Sequence, residues 1–149
     1  MSITRKIKSW GDLHHPKILD IIRMLLGIFL VVKGSVFLNN TGYLRYLIIT
    51  NEAINQPPAV ISFIVFYVTY VHLLGGSLIF LGLFTRLWAL LEIPIVFGAV
   101  FLVNILSNFF NSELWLSILV LALLCLFVII GSGPLSIDGL LKKNKLPAE

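Results

Sequence analysis

Hydrophobic side chains fall into four long runs separated by short polar, proline-containing or glycine-containing segments. The runs cover about 17–38, 59–84, 87–106 and 113–130. They are continuous and lack the alternation of apolar and polar positions that marks a transmembrane β-strand. Crossing the hydrocarbon core of a bilayer takes roughly 20 apolar residues in a helix. The pattern therefore predicts an all-α integral membrane protein, a four-helix transmembrane bundle that forms a single domain over residues 1–149.

The segments between the runs predict how the helices connect. Thr85-Arg86 is a tight interruption between the second and third runs. Helices joined by so short a turn must lie antiparallel and side by side. Residues 39–57 form the one long connection, and its YLRYLII stretch is too short to cross, so we expect it to lie along the membrane interface.

The amino-acid composition indicates a lipid environment and limits the kinds of partner that the protein can bind. Of 149 residues, 58% are hydrophobic and 12% are charged, more apolar side chain than a soluble domain of this size could bury. The bilayer is thus the first predicted partner. A net charge of +4 is too small to indicate nucleic-acid binding. The single cysteine, Cys125, excludes a CxxC redox pair, and no metal-ligand spacing occurs.

Basic residues predict the orientation of the bundle. Cytoplasmic segments of membrane proteins carry the excess of lysine and arginine. The two loops on one side contain only Arg45, whereas the other side carries Arg5, Lys6, Lys8, Lys17, Arg86, Lys142, Lys143 and Lys145. We therefore expect both termini in the cytoplasm, which requires an even number of spans. We expect the membrane to be a bacterial inner membrane.

Four ionisable residues lie inside the apolar runs and are the candidates for a pocket or an intramembrane polar site: Arg23, Lys33, His72 and Glu92. Buried charges are costly in lipid, so such side chains face the bundle or extend to an interface. Arg23 lies six residues into the first run from the cytoplasmic side, and Glu92 lies a similar distance into the third run from the same side. We expect them to form an ion pair that fixes helix register. Lys33 either extends to the outer interface or lines a pocket for an anion or a quinone carbonyl.

His72 lies near the middle of the second run and allows two interpretations. It is either hydrogen-bonded within the bundle or a proton-accepting or quinone-binding group, since histidine changes charge near neutral pH. Small residues let transmembrane helices approach closely, and the predicted helix-packing positions are Gly27, Gly34, Gly75, Gly76 and Gly82. Asp138 is predicted to cap a short helix that begins near Gly139. No catalytic residue can be named.

Three motifs in this order resemble the DoxX family of small four-helix bacterial membrane proteins. They are RMLLGIFLVVKG in the first run, HLLGGSLIFLGLFTRLWAL across the second and third, and GSGPLSIDGLL after the fourth. His72 stands where the family commonly has an acid. The resemblance covers nearly the whole chain. It implies a four-helix bundle related to the DoxD subunit of thiosulfate:quinone oxidoreductase, and partners in oxidative or thiol-stress complexes.

Three functions remain open at this point. The first is a small integral-membrane subunit of a redox-linked complex, without a self-contained catalytic site, which meets a quinone as its cofactor and acts with a membrane or peripheral protein partner. The second is a small transporter or permeation protein, which would require a homo-oligomer because four helices enclose little space. The third is a structural or assembly factor for a larger membrane complex.

Overall fold

The protein is helical throughout the part of the chain that the structure, a computed structural model, describes. The described residues are 17–50, 56–101 and 113–143, and no strand occurs among them. The helices are α1 (Lys17–Asn39), α2 (Thr41–Ile49), α3 (Pro58–Leu81), α4 (Thr85–Gly98), α5 (Glu113–Ile130) and α6 (Ile137–Lys143). Residues 99–101 continue α4 in a wider, π-type turn.

Two of these helices, α1 and α3, are long and apolar enough to cross a membrane, and α5 contributes a shorter apolar helix over Leu114–Ile130. This confirms an all-helical protein with helices of spanning length. The end of the predicted third span, 102–106, and the turn after it lie outside the described residues, as does the basic segment 1–16. The count of four spans and their orientation therefore stay predictions.

The helix boundaries follow local chemistry. Pro58 occupies the first turn of α3, where its missing N–H would have had no helical partner. At the other end, Gly82 adopts a left-handed conformation with φ 71° and closes the helix at Leu81, three residues earlier than the predicted limit of 84. The helix α2 coincides with the YLRYLII stretch, and its position along an interface stays a prediction.

Helices α1 and α3 make the most extensive contact in the molecule. Glycine lines it: a Cβ atom on Gly27 would lie 2.6 Å from the backbone nitrogen of Phe80, and one on Gly34 would lie 2.9 Å from that of Leu73. Such short distances leave no room for a side chain, so the two backbones pack directly on each other. This is the usual way in which transmembrane helices gain van der Waals contact.

Helix α4 returns beside α3 and packs on α5. The hydroxyl of Tyr67 on α3 donates to the carbonyl oxygen of Leu91 on α4 at 3.2 Å. The main apolar core contains Leu26, Leu30, Ile79, Ala89, Val96, Val100, Val120, Leu124 and Phe127. Outside it, large apolar side chains such as Phe63, which is 66% exposed, cover the surface of the helices. Lipid is the solvent in which such a surface is stable.

Candidate functional site

A buried polar contact between neighbouring helices joins His72 on α3 to Glu92 on α4. Nδ1 of His72 lies 3.1 Å from Oε2 of Glu92. Glu92 is fully buried, and His72 keeps 6% of its surface exposed. The two atoms are within ion-pair distance but are not aligned as a hydrogen bond. No described residue supplies a hydrogen bond to either carboxyl oxygen of Glu92 or to Nδ1 of His72.

The walls of this pair are apolar and close. A Cβ atom on Gly75 would lie 2.9 Å from Oε1 of Glu92 and 3.3 Å from the Trp88 ring. The Phe37 ring of α1 meets the imidazole edge-on, with 5.6 Å between centroids. The nearby hydroxyl of Thr69 is buried and donates within its own helix, to the carbonyl oxygen of Val65 at 2.8 Å. The carboxyl group of Glu92 therefore fits into the gap that Gly75 leaves.

The register of the α3–α4 hairpin explains why these two residues meet. His72 precedes Gly82 by ten residues, and Glu92 follows it by ten. Residues at equal distances from a tight antiparallel turn lie at equal depth on neighbouring helices, because each residue advances both helices by the same 1.5 Å. The sequence contained this signal, since the predicted hairpin needed only to be centred on Gly82.

Lys33 lies on α1, next to the position where that helix crosses α3 at His72. A Cβ atom on the adjacent Gly34 would lie 3.0 Å from Cβ of His72. The ammonium group of Lys33 lies 5.9 Å from the centroid of the Phe29 ring, in a cation–π arrangement. The positive charge of Lys33 also acts on the imidazole of His72. Three of the four ionisable candidates thus belong to one region of the bundle.

Arg23, the fourth candidate, belongs to a separate polar cluster at the α3–α4 turn. Its Nη1 donates to the carbonyl oxygens of Ile79 at 2.5 Å and Phe80 at 3.0 Å, in the last turn of α3. Its Nη2 donates to the carbonyl oxygen of Leu135 at 2.8 Å. Carbonyl groups in the last turn of a helix carry partial negative charge, so a buried guanidinium suits them. The carbonyl oxygen of Ile79 accepts the N–H of Gly82 at 3.1 Å as well. Arg23 is itself fully buried.

Asp20 completes this cluster, and the sequence analysis missed it. Its Oδ1 lies 3.8 Å from Nη2 of Arg23, and its Oδ2 accepts the N–H of Leu135 at 3.2 Å. Asp20 is fully buried, so an opposite charge in contact offsets part of its desolvation. The available signal was the three-residue spacing of Asp20 and Arg23, which puts both side chains on one face of α1.

The expected Arg23–Glu92 ion pair was wrong. Equal depth from the cytoplasmic side suggested it, but α1 packs on α3 in a register that puts Gly27 against Phe80: a Cβ atom on Gly27 would lie 2.6 Å from the Phe80 nitrogen. Arg23 comes one turn before Gly27 and so lies level with the α3–α4 turn, whereas Glu92 lies ten residues beyond Gly82. Arg23 therefore reaches the end of α3 rather than the middle of the bundle. Ile79, which it contacts, lies seven residues, about 10 Å of helix, from His72. Glu92 is left to face His72.

The segment after α5 folds back onto the same turn. The backbone N–H of Phe84 donates to Oδ2 of Asp138 at 2.9 Å, and the N–H of Asp138 donates to the carbonyl oxygen of Gly82 at 3.3 Å. The prediction that Asp138 caps the last helix was wrong, because α6 begins at Ile137 and Ser136 caps it. The hydroxyl of Ser136 accepts the N–H of Gly139 at 3.0 Å.

Arg86 and Gly82 tie the turn to its neighbours. Nη2 of Arg86 donates to the carbonyl oxygen of Ile130 at 3.1 Å, at the end of α5. A Cβ atom on Gly82 would lie 2.6 Å from Nη1 of Arg23. Gly82 is therefore needed both for its left-handed conformation and for the space that the guanidinium occupies. The polar cluster thus joins α1, α3, α4 and the segment that follows α5.

An apolar groove lies on the outer side of the α1–α3 contact. Its volume is about 340 Å³, and it is lined by Ile28, Val31, Val32, Ser77, Phe80 and Leu81. His72 and Glu92 do not line it. Among the residues that the structure describes, no group of three or more His, Cys, Asp or Glu side chains is placed to hold a metal ion. Cys125 is exposed on α5.

Comparison with protein families decides the identity of the chain. The DoxX family model, described as DoxX, matches residues 18–105, which is more than half of the protein. The chain belongs to the DoxX family. The matched range in this DoxX protein contains all four ionisable candidates, from Arg23 to Glu92. No curated protein and no solved structure matches the sequence significantly.

The geometry relates the family motifs to one another. In this DoxX protein, Arg23 from the first motif, Gly82 from the second and Asp138 from the third all meet in the polar cluster. The third motif lies beyond the matched range, yet its backbone supplies one of the acceptors for Arg23. Residues from all three motifs therefore meet in one structural unit at one end of the bundle, whereas His72, which opens the second motif, contacts Glu92 outside that unit.

Proposed function

We propose that this DoxX protein is a small integral-membrane subunit of a redox-linked complex and that it interacts with a quinone or a similar lipid-like molecule. The family shows a small membrane protein, and the redox role is our proposal. The observation that supports it is the buried contact between His72 and Glu92, 3.1 Å apart. We further propose four spans with both termini in the cytoplasm of a bacterial inner membrane.

The pair supports a functional role because no hydrogen bond from a described residue compensates the burial of the Glu92 carboxyl group. Arg23 donates hydrogen bonds to three carbonyl groups of other segments. By contrast, the carboxyl oxygens of Glu92 receive no hydrogen bond from a described residue. Burying a carboxyl group without such bonds costs free energy. A cost of this kind inside an otherwise apolar bundle is typical of a functional group.

Histidine and glutamate are proton-exchanging groups, and proton exchange accompanies quinone chemistry. Reduction of a quinone to a quinol adds two protons as well as two electrons. A positioned imidazole or carboxyl group can deliver or accept such protons. The open groove on the α1–α3 contact has an apolar lining that suits a hydrocarbon tail. The sequence has no electron-carrier motif, so we assign the electron-transfer step to a partner protein.

Native mass spectrometry on the protein extracted gently from its own membrane tests this proposal. We expect a stoichiometric quinone or a co-purified redox enzyme. The variant that combines His72→Gln with Glu92→Gln should retain the partner enzyme and lose quinone-dependent activity of the complex. A bare homo-oligomer carrying only bulk lipid would contradict the subunit function and favour the transporter alternative, for which flux assays would follow.

A second candidate, an assembly factor, is supported by a different observation. The contacts of Arg23 hold the backbones of separate segments at one end of the bundle, as a scaffold requires. Under this alternative, partner assembly would depend on the polar cluster and would be insensitive to the His72 and Glu92 substitutions. The activity of the assembled complex that carries His72→Gln and Glu92→Gln therefore distinguishes the redox-linked subunit from the assembly factor.

A further inference from the structure

The His72–Glu92 pair has the geometry of a binding site for a very small ligand. Glu92 is fully buried, and the space beside Oε1 is limited by Gly75, where even a Cβ atom would come within 2.9 Å. Phe37 closes the site from α1 and Trp88 from α4. Such walls leave little space beside the carboxyl group itself. A proton needs no space.

The charge of the pair depends on how many protons it holds. With one proton, an imidazole and a carboxyl group are together neutral, and neutrality is strongly favoured in a medium of low dielectric constant. A carboxylate is stabilised by hydrogen-bond donors, and none of the described residues offers one to Glu92. The proton of the neutral pair therefore belongs on the carboxyl group of Glu92, which itself becomes a donor.

The groups around the pair decide whether it gains a second proton or loses its first one more easily. The imidazole of His72 donates a hydrogen bond to the backbone carbonyl of Val68 on its own helix, and the positive charge of Lys33 acts on it from α1. The polar neighbour on α3, Thr69, has its hydroxyl committed to Val65, and the neighbour on α4, Trp88, is not ionisable. A nearby cation opposes uptake of a second proton and stabilises the anion that remains when the first one leaves.

We propose that His72 and Glu92 form a proton-binding site inside the bundle, at which Glu92 holds the proton and His72 passes it on. On release, the O–H bond of the Glu92 carboxyl group breaks and its electron pair stays on the carboxylate. Nδ1 of the imidazole takes up this proton, and Nε2 gives up another to a water molecule, which the proposal places at the edge of the ring. His72 is the exchange side because it is the less buried of the two residues: 6% of its surface is exposed, whereas Glu92 has none. The inference rests on the site proposed above, but its test needs no quinone.

Infrared difference spectroscopy of the full-length protein in liposomes tests the proposal. Spectra recorded between neutral and alkaline pH should show the carbonyl stretch of a protonated carboxyl group disappear as pH rises. The band should shift in heavy water and be absent in Glu92→Gln. Glu52→Gln, an isosteric change in the connection between the first two runs, is the matched control and should keep it. If Glu92→Gln does not fold, isotope-labelled glutamate assigns the band to a glutamate, and its persistence in Glu52→Gln, Glu113→Gln and Glu149→Gln assigns it to Glu92.

The role of His72 is tested by the rate at which this carboxyl group exchanges with heavy water. His72→Gln should keep the Glu92 band and slow its exchange by a factor on the order of 100, the usual contribution of a positioned proton-transfer group. The proposal is overturned if no carboxyl band depends on Glu92 at any pH at which the protein stays folded. An exchange rate unaffected by His72→Gln would equally overturn it. Quinone binding can succeed or fail independently of either result.

Discussion

Gly27 and Gly76 meet backbone to backbone where α1 crosses α3. A Cβ atom on Gly27 would lie 2.7 Å from the carbonyl oxygen of Gly76, and one on Gly76 would lie 2.9 Å from that of Gly27. If either helix moved away, the protein would lose the most extensive contact between two of its described helices. The crossing therefore fixes the position of His72, which sits one turn before Gly76 on the same helix.

We expect Gly27→Ala and Gly76→Ala to lower the free energy of unfolding by about 1–3 kcal/mol, the usual cost of overpacking. The added methyl groups collide with backbone atoms, which cannot yield as a side chain does. Thermal unfolding in detergent micelles measures the effect. Gly42→Ala is the matched control, because nothing lies within 4 Å of its Cβ position. Equal stability of the two crossing variants and the control would contradict the close crossing.

Arg23→Ala should be more damaging than any other single substitution in the polar cluster. It removes the guanidinium that donates to three carbonyl groups and the positive charge beside the buried Asp20. Breaking a buried charge pair from one side costs about 3–5 kcal/mol. Arg23→Lys should recover part of this loss, since an ammonium group keeps the charge but lacks the planar fork that reaches separate acceptors.

Arg45→Ala is the control for the loss of an arginine. Arg45 lies exposed on α2 and donates to the hydroxyl of Ser62 at 2.7 Å. An exposed contact of this kind contributes less than about 1 kcal/mol. Unfolding followed by circular dichroism should therefore give the wild type and Arg45→Ala nearly the same free energy of unfolding, well above that of Arg23→Ala. A different order would mean that the contacts of Arg23 do not support the fold.

The helices were predictable because their signals are local. Continuous apolar runs, Pro58 at the start of α3 and glycine at its end all act within a few residues. The partners of Arg23 were not predictable in the same way. They depend on where a long side chain points and on a segment 112 residues later that folds back. The depth of Arg23 along its helix predicts neither the direction of its side chain nor the position of that distant segment.

The candidate site was partly predictable. His72 and Glu92 each stand out as ionisable residues in apolar runs, and the short turn between their helices is evident in the sequence. Their contact follows once the hairpin is centred on Gly82. The fit of the Glu92 carboxyl group against Gly75 depends on side-chain packing between α3 and α4, which no local pattern encodes.

A double-mutant cycle should reveal coupling between His72 and Glu92. Each of His72→Gln and Glu92→Gln removes the same contact, so their combination should cost less than the two separate losses together. Residues in direct contact couple by about 0.5–3 kcal/mol. Thermal unfolding of the four proteins gives the coupling energy. Glu92→Gln combined with Arg45→Gln on α2 is the control cycle and should be additive. Additivity in both cycles would argue against an energetic pair.

Ser136→Ala should remove the cap of α6. Its hydroxyl accepts the N–H of Gly139 at 3.0 Å, and losing such a cap costs about 1 kcal/mol. Ser77→Ala is the control, because the hydroxyl of Ser77 is exposed and donates only to the carbonyl oxygen of Leu73 in its own helix. Hydrogen exchange of the α6 amides should increase in Ser136→Ala and stay unchanged in Ser77→Ala. Unchanged exchange in both would mean that α6 does not depend on this cap.

Labelling from one side of the membrane tests the predicted orientation. If lysine and arginine mark the cytoplasmic side, the α3–α4 turn with Arg86 faces the cytoplasm together with both termini. In a Cys125→Ala background, Leu83→Cys should resist an impermeant thiol reagent in intact cells and react in inverted vesicles. A fluorescent protein fused after Glu149 should fluoresce, since it folds in the cytoplasm. The polar cluster joins the turn to the segment after α5 through Phe84 and Asp138. The two probes must therefore report the same side, and opposite results would contradict the contact as well as the orientation.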